Sequence, residues 1–417
     1  MITLSAEING KNVTEKKLYY KDPYITSFVT NLLKQEQDEE GRWYAVLEKT
    51  AFYPTGGGQP HDTGTIHHTE VHQMEVIDVE EIDGEIRHYL KEKIRDVTKE
   101  VSGQIDWNRR FDHMQQHAGQ HILTAAFVEL FDIATVSFHL GKETLTIDLD
   151  IEELTEEQAQ AAEDLANQII LENRPIQTKW VSQDELSQYS LRKQLSVTDN
   201  IRLVIIPEFD YNGCGGTHPR STDEVGTIAI LGWEKQRKNT RVQFICGNRV
   251  RSQFHEKHKI VKELTGLLNA PEQKIISTAK RLLENGKTLE KNIEELQGML
   301  IEYEAKALLA NALQSEKGII VSNVFQNRSI QEIQKLARTI TTLSNESLVF
   351  FINEADEKLQ FVCAKGSMPS LSMKSISANI LPLINGKGGG NDLFAQGGGE
   401  AILTGEQLLS HMLKKID

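Results

Sequence analysis

The 417-residue chain, with 39% hydrophobic and 25% charged residues, has the composition of an ordinary globular protein of roughly two to four domains. No stretch approaches the ~18 unbroken apolar residues of a membrane span, and the N-terminus, Met1-Ile2-Thr3-Leu4-Ser5, shows no secretory pattern. Three cysteines, Cys214, Cys246 and Cys363, make no disulfide framework, so a reducing cytoplasm is expected. The net charge of −14 argues against a nucleic-acid partner, yet base gathers between Lys235 and Lys262 while acid gathers between Asp148 and Asp164. A local basic stripe holds phosphates even on an anionic molecule, in a salt-sensitive way.

Residues 1–95 read as short strands (Lys17-Leu18-Tyr19-Tyr20, Ser27-Phe28-Val29-Thr30, Trp43 to Leu47, Gln73 to Val79) separated by turn formers, the pattern of a small β-barrel. Within them lies Phe52-Tyr53-Pro54-Thr55-Gly56-Gly57-Gly58-Gln59-Pro60, whose consecutive glycines suit a tight turn or the close approach of another chain. His61, His67 and His68 lack partner spacing and read as structural or exposed.

Residues 96–248 read as an α+β domain. Ile105 to Arg110 leads into a helix, Gln115 through Leu130, with Ile122, Leu123, Ala126, Phe127 and Leu130 apolar at helical spacing. Residues four apart share a helical face, so His117 and His121 can grip one ion; His113, four residues earlier, could pair with His117 by the same geometry. Ala134 to Leu140 alternates like a strand. Thr155-Glu156-Glu157-Gln158 is a capping box for a helix to about Glu172. Strands follow at Ile176 to Val181 and Ile201 to Ile206, with a short helix between, about Asp184 to Gln194. Then comes Cys214-Gly215-Gly216-Thr217-His218, whose glycines let a thiolate and an imidazole turn onto one metal. With the helical histidines this supplies the nitrogen and thiolate ligands of a tetrahedral Zn2+ site. Closing strands are expected at Gly226 to Leu231 and Thr240 to Ile245, and Cys246 reads as a buried core thiol.

Residues 249–316 read as a helical segment. Ile275, Ala279, Leu282, Gly286, Leu289, Ile293, Leu296, Leu300, Tyr303 and Ala307 form a coiled-coil seam, weakened at Gly286; the preceding helix, Val250 to Leu268, or a second chain could serve as its partner. Residues 317–417 read as a compact α/β domain, with strands at Gly318 to Ser322, Leu348 to Ile352 and Leu359 to Ala364 and a helix at Ile330 to Leu343. Its glycine-rich passage, Gly386 to Gly399, interrupted by Asp392 and Ala395-Gln396, suggests a ligand loop.

The pair His117-Ala118-Gly119-Gln120-His121 and Cys214-Gly215-Gly216-Thr217-His218 resembles the editing domain of alanyl-tRNA synthetases and of the free-standing AlaX editing proteins. The resemblance extends over essentially the whole chain in the long AlaX form: barrel, editing domain, helical hairpin and C-terminal RNA-binding domain. It implies zinc held by His117, His121, Cys214 and His218, leaving His113 as a structural residue beside the site. It implies that Gly57, Gly58 and Gln59 shape the substrate pocket together with Thr135, Ser137 and His139, and that Thr217 positions water or ester. It singles out no general base. Hydroxyls there suit a seryl substrate, because a site that hydrogen-bonds a substrate OH discriminates strongly against analogues lacking it. The implied activity is trans-editing, the hydrolytic removal chiefly of serine, and secondarily of glycine, from mischarged tRNA(Ala). By the same resemblance Lys387, Gly388, Gly389, Gly390, Gln396, Gly397 and Gly398 contact tRNA, and the chain is a homodimer through the helical segment or the C-terminal domain. A complete alanyl-tRNA ligase would need a long class II catalytic domain upstream of the barrel, so a ligase is not expected. The C-terminal domain also resembles one appended to DHH-type phosphoesterases, but the sequence has no Asp-His-His triplet. The rival reading is a non-catalytic zinc- and tRNA-binding scaffold.

Overall fold

The computed structural model describes residues 15–68, 73–94, 99–193 and 200–416; residues 1–5, the expected domain boundary at residue 95 and Gln194 lie outside these. The chain separates into two compact units, Met1–Glu263 and Leu264–Asp417.

The first unit begins with a helical turn, α1 (Leu18–Lys21), and the strands β1 (Ser27–Gln37), β2 (Trp43–Leu47), β3 (Gly64–His67), β4 (Gln73–Ile82), β5 (Glu85–Leu90) and β6 (Glu100–Ile105). They close into an antiparallel barrel in the order β1-β2-β5-β4-β3-β6, which leaves no sheet edge unpaired. Phe28, Leu47, Phe52, Ile66, Val76, Val79, Leu90 and Val101 belong to its core. The Lys17-Leu18-Tyr19-Tyr20 segment, expected as a strand, is α1 instead. Its conformation is set by packing: the Tyr19 ring is buried and meets Tyr20 and Tyr53 edge-on, contacts that alternation of residue types does not reveal.

Helix α2 (Trp107–Phe131) starts two turns before the expected Gln115, because the Asp106 carboxylate caps it by accepting the Arg109 N–H. It is buried almost continuously from Arg110 to Phe127, which makes it the spine of this unit. Around it lie β7 (Thr135–Leu140), β8 (Leu145–Leu149), α3 (Glu156–Leu171), β9 (Gln177–Val181), β10 (Ile201–Ile206), β11 (Asp210–Gly213), β12 (Ile228–Gln236) and β13 (Asn239–Cys246). These strands form two sheets, β12-β13-β8-β7 and β11-β10-β9. The alanines of α3 that face α2 and its sheet, Ala159, Ala162 and Ala166, are fully buried, as close packing requires. The short helix expected from Asp184 reduces to a 3-10 turn, Asp184–Gln188, pinned by the Glu185 carboxylate accepting from the Ser182 backbone and hydroxyl. Helix α4 (Asn248–Leu268) follows and runs across the division between the units.

In the second unit, α5 (Ile275–Ala310) leads to β14 (Leu313–Ser315), β15 (Gly318–Gln326), α6 (Ile330–Leu343), β16 (Ser347–Ala355), β17 (Lys358–Lys365), α7 (Met373–Ile380), β18 (Lys387–Gly390), β19 (Phe394–Glu400) and α8 (Gly405–Leu413). The sheet order is β14-β15-β16-β17-β19-β18, and only β15 and β16 run parallel. The C-terminal turns of α5 bury Ile301 and Ala305 in the same core as Leu336 and Ile340 of α6. Before that point its seam residues Leu282, Leu289, Ile293, Leu296 and Leu300 are exposed. The glycine-rich passage, expected as a ligand loop, is the hairpin β18–β19 at the sheet edge. The missing side chains permit this: a Cβ on Gly388 or Gly390 would collide with the facing backbone of Gln396 or of Phe394 and Ala395.

Candidate metal centre

Two segments bring four ligand-type side chains together. Helix α2 presents His117 and His121 one turn apart, and the loop after β11 presents Cys214 and His218. One ligand atom from each of the four lies within 4.8 Å of every other, and three of the residues are buried while Cys214 is partly open. The Cys214 Sγ stands 3.4 Å from His117 Nε2 and 3.3 Å from His218 Nε2. His113, the competing helical partner, is buried elsewhere, its Nδ1 without a hydrogen bond, and is not part of the cluster.

The surroundings aim the ligands. Gln59 Oε1 is 2.9 Å from His117 Nδ1, and Asp210 Oδ2 is 3.3 Å from His121 Nδ1, so the other ring nitrogen of each faces the cluster. Asp210 is itself held by the Arg192 guanidinium, whose Nε donates at 2.9 Å. The second motif is braced from beneath by Arg202 on β10, whose Nη1 donates to the carbonyls of Cys214 and Gly216 at 2.8 and 2.9 Å. Arg202 is buried with the Tyr20 ring against its guanidinium. Tyr53 of the barrel, its hydroxyl 3.2 Å from Gly215 O, touches the same loop. Gly216 has no room for a side chain, because a Cβ would strike the His117 ring.

Burial alone would raise the Cys214 thiol, but the surrounding imidazoles of His117, His218 and His121 carry it well below its ordinary value, toward thiolate. Burial pushes His218 down to about 3 and keeps it neutral. Burial also opposes a charge on His121, yet the Cys214 and Asp210 charges outweigh it and raise that imidazole to about 9. Three imidazoles and a thiol drawn toward thiolate are the donor chemistry of a zinc site, and the pairing of both helical Nδ1 atoms away from the cluster fits that ion.

Beside the cluster opens a cavity of about 640 Å³, lined among others by Gly58, Gln120, Thr124, Thr135, Phe138 and Lys193. Gln120 Nε2 donates to Thr124 Oγ1 at 2.9 Å and Thr135 Oγ1 lies 3.2 Å from it, a chain of polar groups along the wall. Gly57 and Gly58 also line this space, and the Phe138 ring lies where a Cβ on Gly58 would stand. Ser137 lines it too, but its hydroxyl donates to Asp148, which is paired with Arg241. His139 is exposed and outside the lining, and Gln59 and Thr217 are fully buried behind it, bonded to each other. Sequence reasoning missed Gln120, Thr124, Phe138, Asp210, Arg192 and Arg202. Gln120 and Thr124 were within reach, since Thr124 follows His121 by three residues and Gln120 lies inside the motif. The other four are brought in by sheet pairing and loop closure, which leave no local signal. In the second unit, Lys387, Gly388, Gly389 and Gly390 lie on the exposed edge strand β18, and Gln396, Gly397 and Gly398 on its neighbour β19.

Comparison with known proteins agrees with this geometry. The family described as "tRNA synthetases class II (A)" matches residues 3–109, and "Threonyl and Alanyl tRNA synthetase second additional domain" matches residues 201–245. The alanyl-tRNA editing protein AlaX-L of Pyrococcus horikoshii is 32% identical over 96% of this chain and 98% of its own length. The alanyl-tRNA editing protein Aarsd1 of Bos taurus is 34% identical over 65% of this chain and 64% of its own. An alanine–tRNA ligase of Pyrococcus abyssi is 29% identical over 96% of this chain, but the match spans only 43% of the ligase. Similarity over nearly the full length of both chains, together with the match across the second motif, establishes that this chain belongs to the family of alanyl-tRNA editing proteins represented by AlaX-L.

Proposed function

We propose that this chain is a trans-editing aminoacyl-tRNA deacylase that hydrolyses mischarged tRNA(Ala), chiefly the seryl ester and secondarily the glycyl ester. The observation that carries this reading is the convergence of His117, His121, Cys214 and His218, the first three at the wall of a cavity that also carries hydroxyls. Family membership supports it. The reaction is ester hydrolysis: water oxygen bonds to the acyl carbon, the ester C–O bond breaks, and the ribose oxygen leaves with a proton. With four protein ligands, bound zinc would either fix the pocket and the substrate while a polarised water attacks, or supply Lewis-acid polarisation by expanding its coordination or exchanging a ligand.

The chain's own groups bind and orient. Gln120, Thr124 and Thr135, already bonded in a chain, offer hydroxyl and amide groups to a seryl side chain that a substrate lacking a hydroxyl does not engage. Gly57 and Gly58 carry no side chains at the cavity wall, and the Phe138 ring packs into the space a Cβ on Gly58 would take. Lys193, exposed at the cavity, suits the phosphates of an acceptor end. Residues 1–95, 96–248, 249–316 and 317–417 then serve as barrel, editing domain, helical segment and tRNA-binding domain. In the last of these the flat β18–β19 hairpin offers backbone to RNA, with Lys387, Gly388, Gly389, Gly390, Gln396, Gly397 and Gly398 in contact. The exposed stripe Leu282, Leu289, Ile293, Leu296 and Leu300 suits a homodimer seam. No described helix is long and apolar enough to cross a membrane, and a cytoplasmic site of action fits a centre that needs a reduced Cys214.

The test is hydrolysis of serine-charged, glycine-charged and alanine-charged tRNA(Ala) by the purified protein before and after chelation and zinc repletion. Selective, zinc-restored loss of serine is expected. Tight tRNA binding with no deacylation would overturn the enzyme reading in favour of a scaffold.

A further inference from the structure

Several contacts join the barrel to the metal helix, and two of them involve side chains at the end of the glycine loop. Asp62, at the end of the glycine loop, is fully buried; it accepts the Tyr53 N–H at 2.6 Å and pairs with the Nε and Nη2 of the equally buried Arg110 on α2, the Nε donating at 2.9 Å. Two helical turns farther along the same face stands His117, which the loop reaches through Gln59. The turn that delivers Gln59 is closed by Gly56 and Gln59 bonding each other's backbones, with Gly57 at φ 56° and Gly58 at φ 81°. Positive φ at both central positions defines the tightest hairpin turn, which glycine adopts without strain.

The Gln59 side chain has no exposure and makes three hydrogen bonds: Oε1 accepts the Thr217 N–H at 3.0 Å and lies 2.9 Å from His117 Nδ1, while Nε2 donates to Thr217 Oγ1 at 2.8 Å. The orientation of this amide is forced. A backbone N–H only donates, so the atom facing Thr217 N is the oxygen. That same oxygen faces His117 Nδ1, so Nδ1 carries the ring proton and the Nε2 lone pair points at Cys214.

Resting on the metal-centre reading, we propose that Gln59 is a positioning residue of the metal site: the barrel, through this one amide, fixes the tautomer and angle of His117 and locks it to Thr217 in the second motif. The metal centre is thus assembled from three segments of chain, and the barrel is part of it.

The test is the zinc dissociation constant of the full chain, by chelator competition, for wild type, Gln59→Met and Gln59→Glu. Methionine keeps the volume but accepts no strong hydrogen bond; glutamate keeps both acceptor contacts and accepts a hydrogen bond donated by the Thr217 hydroxyl. Weakening of about 10- to 100-fold is expected for Gln59→Met, with affinity at or above wild type for Gln59→Glu. Wild-type affinity in Gln59→Met, or equal losses in both variants, would overturn the proposal while leaving the metal site standing. A wild-type chain that binds no zinc would overturn the metal reading and this proposal together. Nitrogen-15 NMR of the zinc-loaded wild type gives a check that needs no variant: a slowly exchanging His117 Nδ1–H is expected, and a rapidly exchanging one would overturn the assignment.

Discussion

Runs of three consecutive glycines occur at two places, residues 56–58 in the first unit and within 386–399 in the second, and glycine serves different physics in each. In the barrel loop the backbone itself is unusual: Gly57 and Gly58 both have positive φ, and the turn they make drives Gln59 inward. In the C-terminal hairpin no glycine between 386 and 399 has positive φ; the strands are extended, and the absent Cβ is what counts. Gly388 faces the backbone of Gln396, and Gly397 faces the side chains of Leu381 and Phe361. One run of glycines buys a conformation, the other a close approach.

Alanine substitutions separate the two uses. The largest effect is expected for Gly216→Ala in the metal loop, where the new methyl enters the His117 ring and comes within 2.9 Å of Gln59 Oε1. Bound zinc in the purified variant, by elemental analysis, should fall to near zero, with a stability loss of about 1–3 kcal/mol.

Acid should also distinguish the units. His88, inside the barrel, has Nδ1 3.0 Å from Ala45 O and Nε2 2.8 Å from Thr50 Oγ1, and its burial lowers its pKa from 6.5 to about 4. Between those values the unfolded chain binds a proton that the folded barrel refuses. The stabilisation is therefore complete above pH 6.5 and is lost as pH falls toward 4, by up to about 3 kcal/mol. Urea unfolding followed against pH should show this slope for the first unit, and substituting His88 should reduce it, leaving the share of His113, which burial also lowers to about 4.

In the hairpin, Gly397→Ala places a Cβ 2.7 Å from both Leu381 and the buried Phe361 ring, and a loss of about 1–3 kcal/mol is expected from thermal melts of the second unit. Gly58→Ala combines a disfavoured φ of 81° with a clash against Phe138; that ring is 37% exposed and free to swing, which leaves about 1–2 kcal/mol of backbone strain. Gly389→Ala, extended and with open space around it, should change stability by less than about 0.5 kcal/mol. Equal losses at Gly389 and Gly397 would break the distinction drawn for the hairpin.

Local patterns carried much of the architecture. Apolar periodicity exposed α2, and the Thr155 capping box marks the start of α3, where both reciprocal bonds form. Alternation located β2, and three strands and a helix of the C-terminal sheet region lie where their residue types suggested. Lys17 to Tyr20 failed because tyrosine packing outweighs alternation there. The glycine-rich passage was read as a loop because glycine carries no strand signal, although paired backbones can hold it extended.

By itself the sequence determined the chemistry on offer. Two histidines one helical turn apart, and a cysteine and histidine around two glycines, are local spacings that survive any tertiary arrangement. Only the tertiary structure decided how that chemistry is aimed. Gln59 and Asp210 reach the ligands across separations of 58 and 89 residues, and Arg202 across the pairing of β10 with β11. Hydrogen bonds between distant segments depend on how the barrel, the helix and the sheet close on one another, and no window of residue types encodes that closure.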